Sequence, residues 1–232
     1  MAISILTSMF HNDFPIKFAE RLNEIIINRK NFVFIASEFN DFQEINDNYF
    51  NLFLSKFHNA GIRFSDCCIV DDRMTKEESQ RAVKDADVIW ISGGDTPTQF
   101  KYLKEYGVDK VLNHHNGVII GMSAGSINMA KTAICTATCD HHEQKIYRAL
   151  GLVDISVEPH FDCIHVTDEL LELSNDYCIY GLCDDAAIIC KDGNVELLGD
   201  VFILDKHAVK RISSKEQIIK EYMRRNKICQ QK

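Results

Sequence analysis

Proline is scarce in this chain: three in 232 residues, Pro15, Pro97 and Pro159. With no proline-, glycine- or serine-rich stretch, no linker, internal repeat or low-complexity segment is read, and residues 1–232 are expected to form one domain. Long apolar runs are also missing, and none approaches the length of a membrane span. The start, Met1-Ala2-Ile3-Ser4-Ile5-Leu6, lacks the basic and apolar regions of a secretory signal. Basic surplus is absent: 26 Lys and Arg stand against 34 Asp and Glu, a net charge of −8. That disfavours nucleic acid and anionic membrane as partners. The basic tail of Arg224, Arg225, Lys227 and Lys232 reads as the solvated end of a closing helix over 215–225. No Walker lysine, no Gly-x-Gly-x-x-Gly and no His-Glu-x-x-His pattern occurs, so no nucleotide, metal or other cofactor is expected. Cysteine is not scarce, but the nine are scattered and odd in number. They read as free thiols in a reducing cytoplasm rather than as a disulfide framework. Burial is the expected role of Cys67, Cys68, Cys135 and Cys139.

What is present is an alternation of strand and helix. Residues 3–7, 32–36, part of 62–70, 88–92 and 118–121 are apolar runs that read as strands. Phe18, Leu22, Ile25 and Ile26 recur at helical spacing, as do Ile45, Tyr49, Leu52, Phe53 and Phe57. Thr75 and Glu78 have the spacing of a capping box. Apolar strands separated by helices predict an α/β fold with a mostly parallel, doubly wound sheet covered on both faces. The buried-strand pattern around Trp90 places it in the core. Residues 152–157 read as a further strand. Residues 180–182, 186–190, 195–198 and 201–204 are short strand candidates, with Asp192-Gly193 as a hairpin turn, so a C-terminal antiparallel extension is expected.

Three segments carry chemistry. In Gly121-Met122-Ser123-Ala124-Gly125, a strand leads into a sharp glycine-flanked turn and then a helix, the nucleophile-elbow pattern. Ser123 is the candidate nucleophile, though a helix-capping serine fits the same pattern. Ser92-Gly93-Gly94-Asp95-Thr96-Pro97 follows the fourth strand and so reaches the same carboxyl edge of the sheet. Thr96 and Gln99 have N-cap and N3 spacing there. The N–H groups of Gly94 and Ala124 would make a two-donor oxyanion hole. In Glu158-Pro159-His160-Phe161-Asp162, His160 is the best candidate base among nine histidines. His114-His115 and His141-His142 sit in polar stretches and read as solvated loops.

With these segments in this order, the chain resembles the serine peptidases related to dipeptidase E and cyanophycinase. The resemblance spans the first strand to the late hairpin. It implies a class I glutamine amidotransferase-like fold with serine as nucleophile, and metal-free hydrolysis of short peptides. It implies that Ser123 attacks, His160 shuttles the proton, and Gly94 and Ala124 hold the oxyanion. It also implies an acid shortly downstream of the serine, for which Asp140 is the nearest match. Asp162, two residues from His160, and Glu158 compete for that role. Asp95 stands where the family has Asn and is a candidate selector of substrate charge. Dipeptidase E takes N-terminal aspartate, which requires a cation. None is evident near Gly181-Leu182-Cys183-Asp184-Asp185, whose acidic pair is instead a candidate for a peptide amino group. Asp95, Asp162 and Asp185 are therefore the candidate substrate-binding residues.

The leading expectation is a cytoplasmic serine exopeptidase. An esterase or amidase of the larger α/β-hydrolase class would place its histidine farther downstream of the serine. A catalytically degenerate member that binds peptides or a partner is the non-enzyme alternative. Homodimerisation is the default expectation, two-fold dimers being the commonest assembly.

Overall fold

The computed structural model describes residues 2–137 and 143–212. Asp140, Cys139, His141, His142 and the expected closing helix with its basic end lie outside the described residues.

The first two thirds alternate strand and helix: β1 (Ile3–Thr7), α1 (Ile16–Ile25), β2 (Asn31–Ile35), α2 (Gln43–Asn59), β3 (Asp66–Val70), α3 (Lys76–Asp85), β4 (Val88–Ile91), α4 (Thr96–Glu105), α5 (Val108–Leu112), β5 (Val118–Met122) and α6 (Ala124–Met129). Then follow β6 (Thr132–Cys135), β7 (Lys145–Arg148), β8 (Ser156–Pro159), α7 (Asp168–Leu173), β9 (Ile179–Leu182), β10 (Ala187–Lys191), β11 (Asn194–Leu198), β12 (Val201–Asp205) and β13 (Ala208–Ile212). The main sheet has seven strands in the order β11-β10-β1-β5-β4-β2-β3. β1 to β5 pair in parallel, while β10 and β11 add antiparallel on the β1 side. A second sheet has the order β13-β12-β9-β8, with β8 and β9 parallel. β6 and β7 form a separate antiparallel pair.

Successive side chains of a strand face opposite sides, and the core divides accordingly. Phe32, Phe34 and Trp90 pack with Phe18 and Leu22 of α1 and Phe53 and Phe57 of α2 on one face. Val33, Ile35, Ile89 and Ile91 pack with Val83 of α3, Leu103 of α4 and Ile127 of α6 on the other. This is the doubly wound arrangement expected from the apolar runs. Trp90 is fully buried, and its ring centroid lies 4.3 Å from that of Phe53.

The local expectations hold at α3, where the Thr75–Glu78 capping box makes both reciprocal bonds. Asp192 and Gly193 both take positive φ in the β10–β11 turn, as a two-residue hairpin requires. The expected C-terminal antiparallel strands are present, β10 and β11 on the main sheet and β12 and β13 in the second. Four readings change. The strand expected over 152–157 begins only at Ser156, because Val153 makes an isolated bridge to Ala130 instead. Asp95, not Thr96, caps α4, accepting from the Thr98 N–H at 2.8 Å. His115 is buried rather than solvated, and that burial lowers its pKa. Cys67 is exposed, because β3 is the edge strand.

Candidate active site

The parallel strands β1, β2, β4 and β5 end at one edge, and a serine follows each within two residues: Ser8, Ser37, Ser92 and Ser123. The site is built there. Ser123 has φ +50°, a strained value for a non-glycine residue. Its N–H donates to the Thr7 carbonyl at 3.0 Å. Ser126 locks the turn to β1: its hydroxyl accepts from the Thr7 N–H at 2.8 Å and shares its one proton between the carbonyls of Thr7 and Gly121, each 2.7 Å away. The flanking glycines answer a steric need. A Cβ at Gly125 would collide with the Ile91 carbonyl oxygen, and one at Gly121 would sit 2.6 Å from the Met129 sulfur.

The Ser92-Gly93-Gly94 loop leaves β4 beside this elbow. Gly94 has φ +144°, and a Cβ there would overlap the Ser37 hydroxyl. A buried polar network braces this loop against α6, the helix after Ser123. Gln99 donates to the Ser92 carbonyl at 2.8 Å. Asn128 on α6 donates to Gln99 Oε1 at 3.0 Å and to the Thr96 carbonyl at 2.9 Å, and accepts from the Tyr147 hydroxyl at 2.9 Å.

His160 follows β8, and its Nε2 lies 3.0 Å from Ser123 Oγ. Its Nδ1 lies 2.9 Å from Asp184 Oδ1. The geometry thus brings Ser123, His160 and Asp184 into one hydrogen-bonded line. β8 and β9 are parallel neighbours with Pro159 opposite Leu182. Residues just past their ends, His160 and Asp184, therefore meet at the same edge.

Asp162 is not the partner of His160. The reasoning that residues two apart share a face requires extended backbone, and His160 has φ +54°. Asp162 instead accepts from the Ile164 N–H and pairs with His165, each at 2.8 Å. Glu158 is buried in β8 and accepts from the Thr136 hydroxyl at 2.9 Å. Asp185 lies in an exposed turn outside the cleft, with φ +66°. Asp95 lines the cleft while its carboxylate also caps α4.

Two residues that sequence reasoning missed complete the site. Ser8 accepts from the His160 N–H at 2.8 Å and donates to Asp184 Oδ1 at 2.7 Å, so one hydroxyl positions both His160 and Asp184. His11 Nε2 lies 2.7 Å from Asp184 Oδ2. Burial pushes the Asp184 carboxyl up. Hydrogen bonds from Ser8, His11 and the Met9 N–H, with the nearby His160, outweigh that and hold it below its ordinary value. A carboxyl so held is ionised at neutral pH and favours the His160 tautomer with its proton on Nδ1. Nε2 is then free to accept from Ser123. The available signal for Asp184 was its place two residues past an apolar strand.

A cleft of about 810 Å³ opens over Ser123 and His160. A serine on an elbow, a histidine within hydrogen-bond reach of it and an aspartate behind that histidine, all at the carboxyl edge of a doubly wound sheet, are the arrangement of a class: the serine hydrolases of α/β architecture. The chain belongs to peptidase family S51, whose family model matches residues 7–198, and it is a serine peptidase. Two solved structures share the fold. A peptidase from an acI-B1 actinobacterium is 18% identical, with TM-score 0.66, over 92% of this chain and 95% of that one. A candidate peptidase E protein from Listeria monocytogenes EGD-e is 21% identical, with TM-score 0.61, over 92% of this chain and 100% of that one. No curated protein matches the chain. Among the described residues, no helix is long and apolar enough to cross a membrane.

Proposed function

We propose that this peptidase cleaves short peptides through an acyl-enzyme formed on Ser123. The observation that carries the reading is the continuous line from Ser123 through His160 to Asp184, with steps of 3.0 and 2.9 Å. His160 Nε2 takes the Ser123 proton as Oγ attacks the scissile carbonyl. Asp184 steadies the imidazolium that forms. The oxyanion lies between the N–H groups of Gly94 and Ala124. Ala124 opens α6, where the first N–H groups have no intrahelical acceptor. His160 then hands its proton to the departing amine, and a water attacks the acyl-enzyme with His160 again as base. Asp184 replaces Asp140, Asp162 and Glu158 as the third member in this reading.

The test is hydrolysis of a dipeptide panel, with free and acetylated N-termini and no added metal, by wild-type and Ser123→Ala protein. Cleavage by wild type alone is the expected result. Equal cleavage by both would remove Ser123 from the mechanism. No cleavage by folded wild type, together with no fluorophosphonate labelling of Ser123, would favour a binding role.

A further inference from the structure

The α2 wall of the cleft is not what its sequence pattern suggested. Ile45 and Tyr49 belong to a periodic apolar series that would be expected to face the core. Of that series Phe53 and Phe57 are buried, whereas Ile45 is 48% and Tyr49 and Leu52 each 42% exposed, and of these three Ile45 and Tyr49 line the cleft while Leu52 lies outside it. Phe42, just before the helix, is also exposed. Phe42, Ile45 and Tyr49 are spaced to share one helical face, and all three line the cleft that holds Ser123 and His160. The helix therefore carries two apolar stripes, one in the core and one turned to the candidate active site. Burying such side chains against a ligand is favourable, and leaving them in water is not.

Charge in the same cleft is one-sided. Glu38, Asp95, Glu158 and Asp162 line it, and none of its described lining residues is lysine or arginine. Its histidines are His160 and His165. Burial and the neighbouring Asp95 push the Glu38 carboxyl up from its ordinary value. A third carboxylate brought beside this pair would meet repulsion, with no lysine or arginine among the described lining residues to hold it.

We infer that the cleft selects peptides with a large apolar side chain beside the scissile bond, laid along Phe42, Ile45 and Tyr49, and that it rejects aspartyl and glutamyl substrates. The inference rests on the peptidase reading above and names its substrate class.

The test measures kcat/KM for Phe-Ala, Leu-Ala, Ala-Ala and Asp-Ala, and for Ala-Phe and Ala-Asp, with wild type and an Ile45→Ser/Tyr49→Ser double variant. Dissociation constants for the same peptides are measured on Ser123→Ala protein. Both substituted positions are solvent-exposed, and circular dichroism confirms that the double variant is folded. The apolar peptide is expected to exceed its aspartyl counterpart by about tenfold or more at one of the two positions. The phenylalanyl-to-alanyl ratio should collapse toward one in the double variant. Glu38→Gln should narrow the gap to the aspartyl peptide. Preference for aspartate, or a ratio untouched in the double variant, overturns the inference while leaving the peptidase reading intact. If nothing is cleaved, the binding constants decide. Tighter binding of the apolar peptides sustains the inference although the peptidase reading fails, and equal or absent binding overturns it.

Discussion

Replacing Asp184 by asparagine and by alanine separates two contributions of the carboxylate, its charge and its hold on the His160 tautomer. An asparagine can present either a carbonyl or an amide to His160 Nδ1. Where the amide faces the histidine, the ring takes the wrong tautomer and a triad loses about 10⁴ in rate. Here the surroundings favour the carbonyl. The Oδ1 position receives the Ser8 hydroxyl at 2.7 Å and the Met9 N–H at 3.3 Å besides facing His160 at 2.9 Å. The Oδ2 position faces His11 Nε2, which as a neutral ring nitrogen can accept from an amide. Asp184→Asn should therefore keep the productive tautomer and lose only the charge. A unit charge about 4 Å from the imidazolium is worth about 1 kcal/mol in water and about 4 kcal/mol at the effective dielectric of a protein surface. The pair is partly exposed, His160 at 46% and Asp184 at 33%, which places it between these limits. The expected loss in kcat/KM is on the order of 10² for asparagine. For alanine it is on the order of 10⁴, since the Nδ1 acceptor disappears as well. The assay is dipeptide turnover, paired with the rate of fluorophosphonate labelling of Ser123, which reads nucleophile activation without a peptide. Equal losses in the two variants would refute the orientation reasoning. An alanine variant within tenfold of wild type would remove Asp184 from the mechanism.

Two further outcomes follow from the packing. Trp90→Ala empties a fully buried indole site among Phe14, Phe53 and Phe57 and should cost about 3–5 kcal/mol by urea denaturation. Trp90→Phe should cost much less, because the buried indole N–H has no hydrogen-bond partner among the described residues and its removal leaves nothing unsatisfied. Asn128→Leu strips Gln99 Oε1 and the Tyr147 hydroxyl of their shared partner in a buried setting and should cost about 2–5 kcal/mol. Because Gln99 also holds the Ser92 carbonyl, the slackened glycine loop should lower kcat more than it raises KM, read from steady-state kinetics on the same peptides.

Ser123, the Ser92-Gly93-Gly94 loop and the parallel core were legible in the chain because each rests on short-range physics. An elbow is one strand, one tight turn and one helix in succession, and the clash that Gly121 avoids is with Met129 of that same helix, whereas Gly125 makes room for Ile91 of the neighbouring β4. Apolar runs alternating with amphipathic helices leave few ways to bury both faces of a sheet. The carboxylate that meets His160 was not legible. Asp184 lies 24 residues from His160, and the two meet only because β8 and β9 pair in parallel in a second sheet whose register no local pattern encodes. Proximity in sequence favoured Asp162, and a left-handed backbone at His160 undid it. Ser8 and His11 are far more distant in sequence, reaching Asp184 through the pairing of β1 with β10. The same division holds for α2. Its sequence made Ile45 and Tyr49 apolar and helical, but whether an apolar stripe meets core or cleft is decided by what packs beside it, and that is a property of the assembled sheet and its loops.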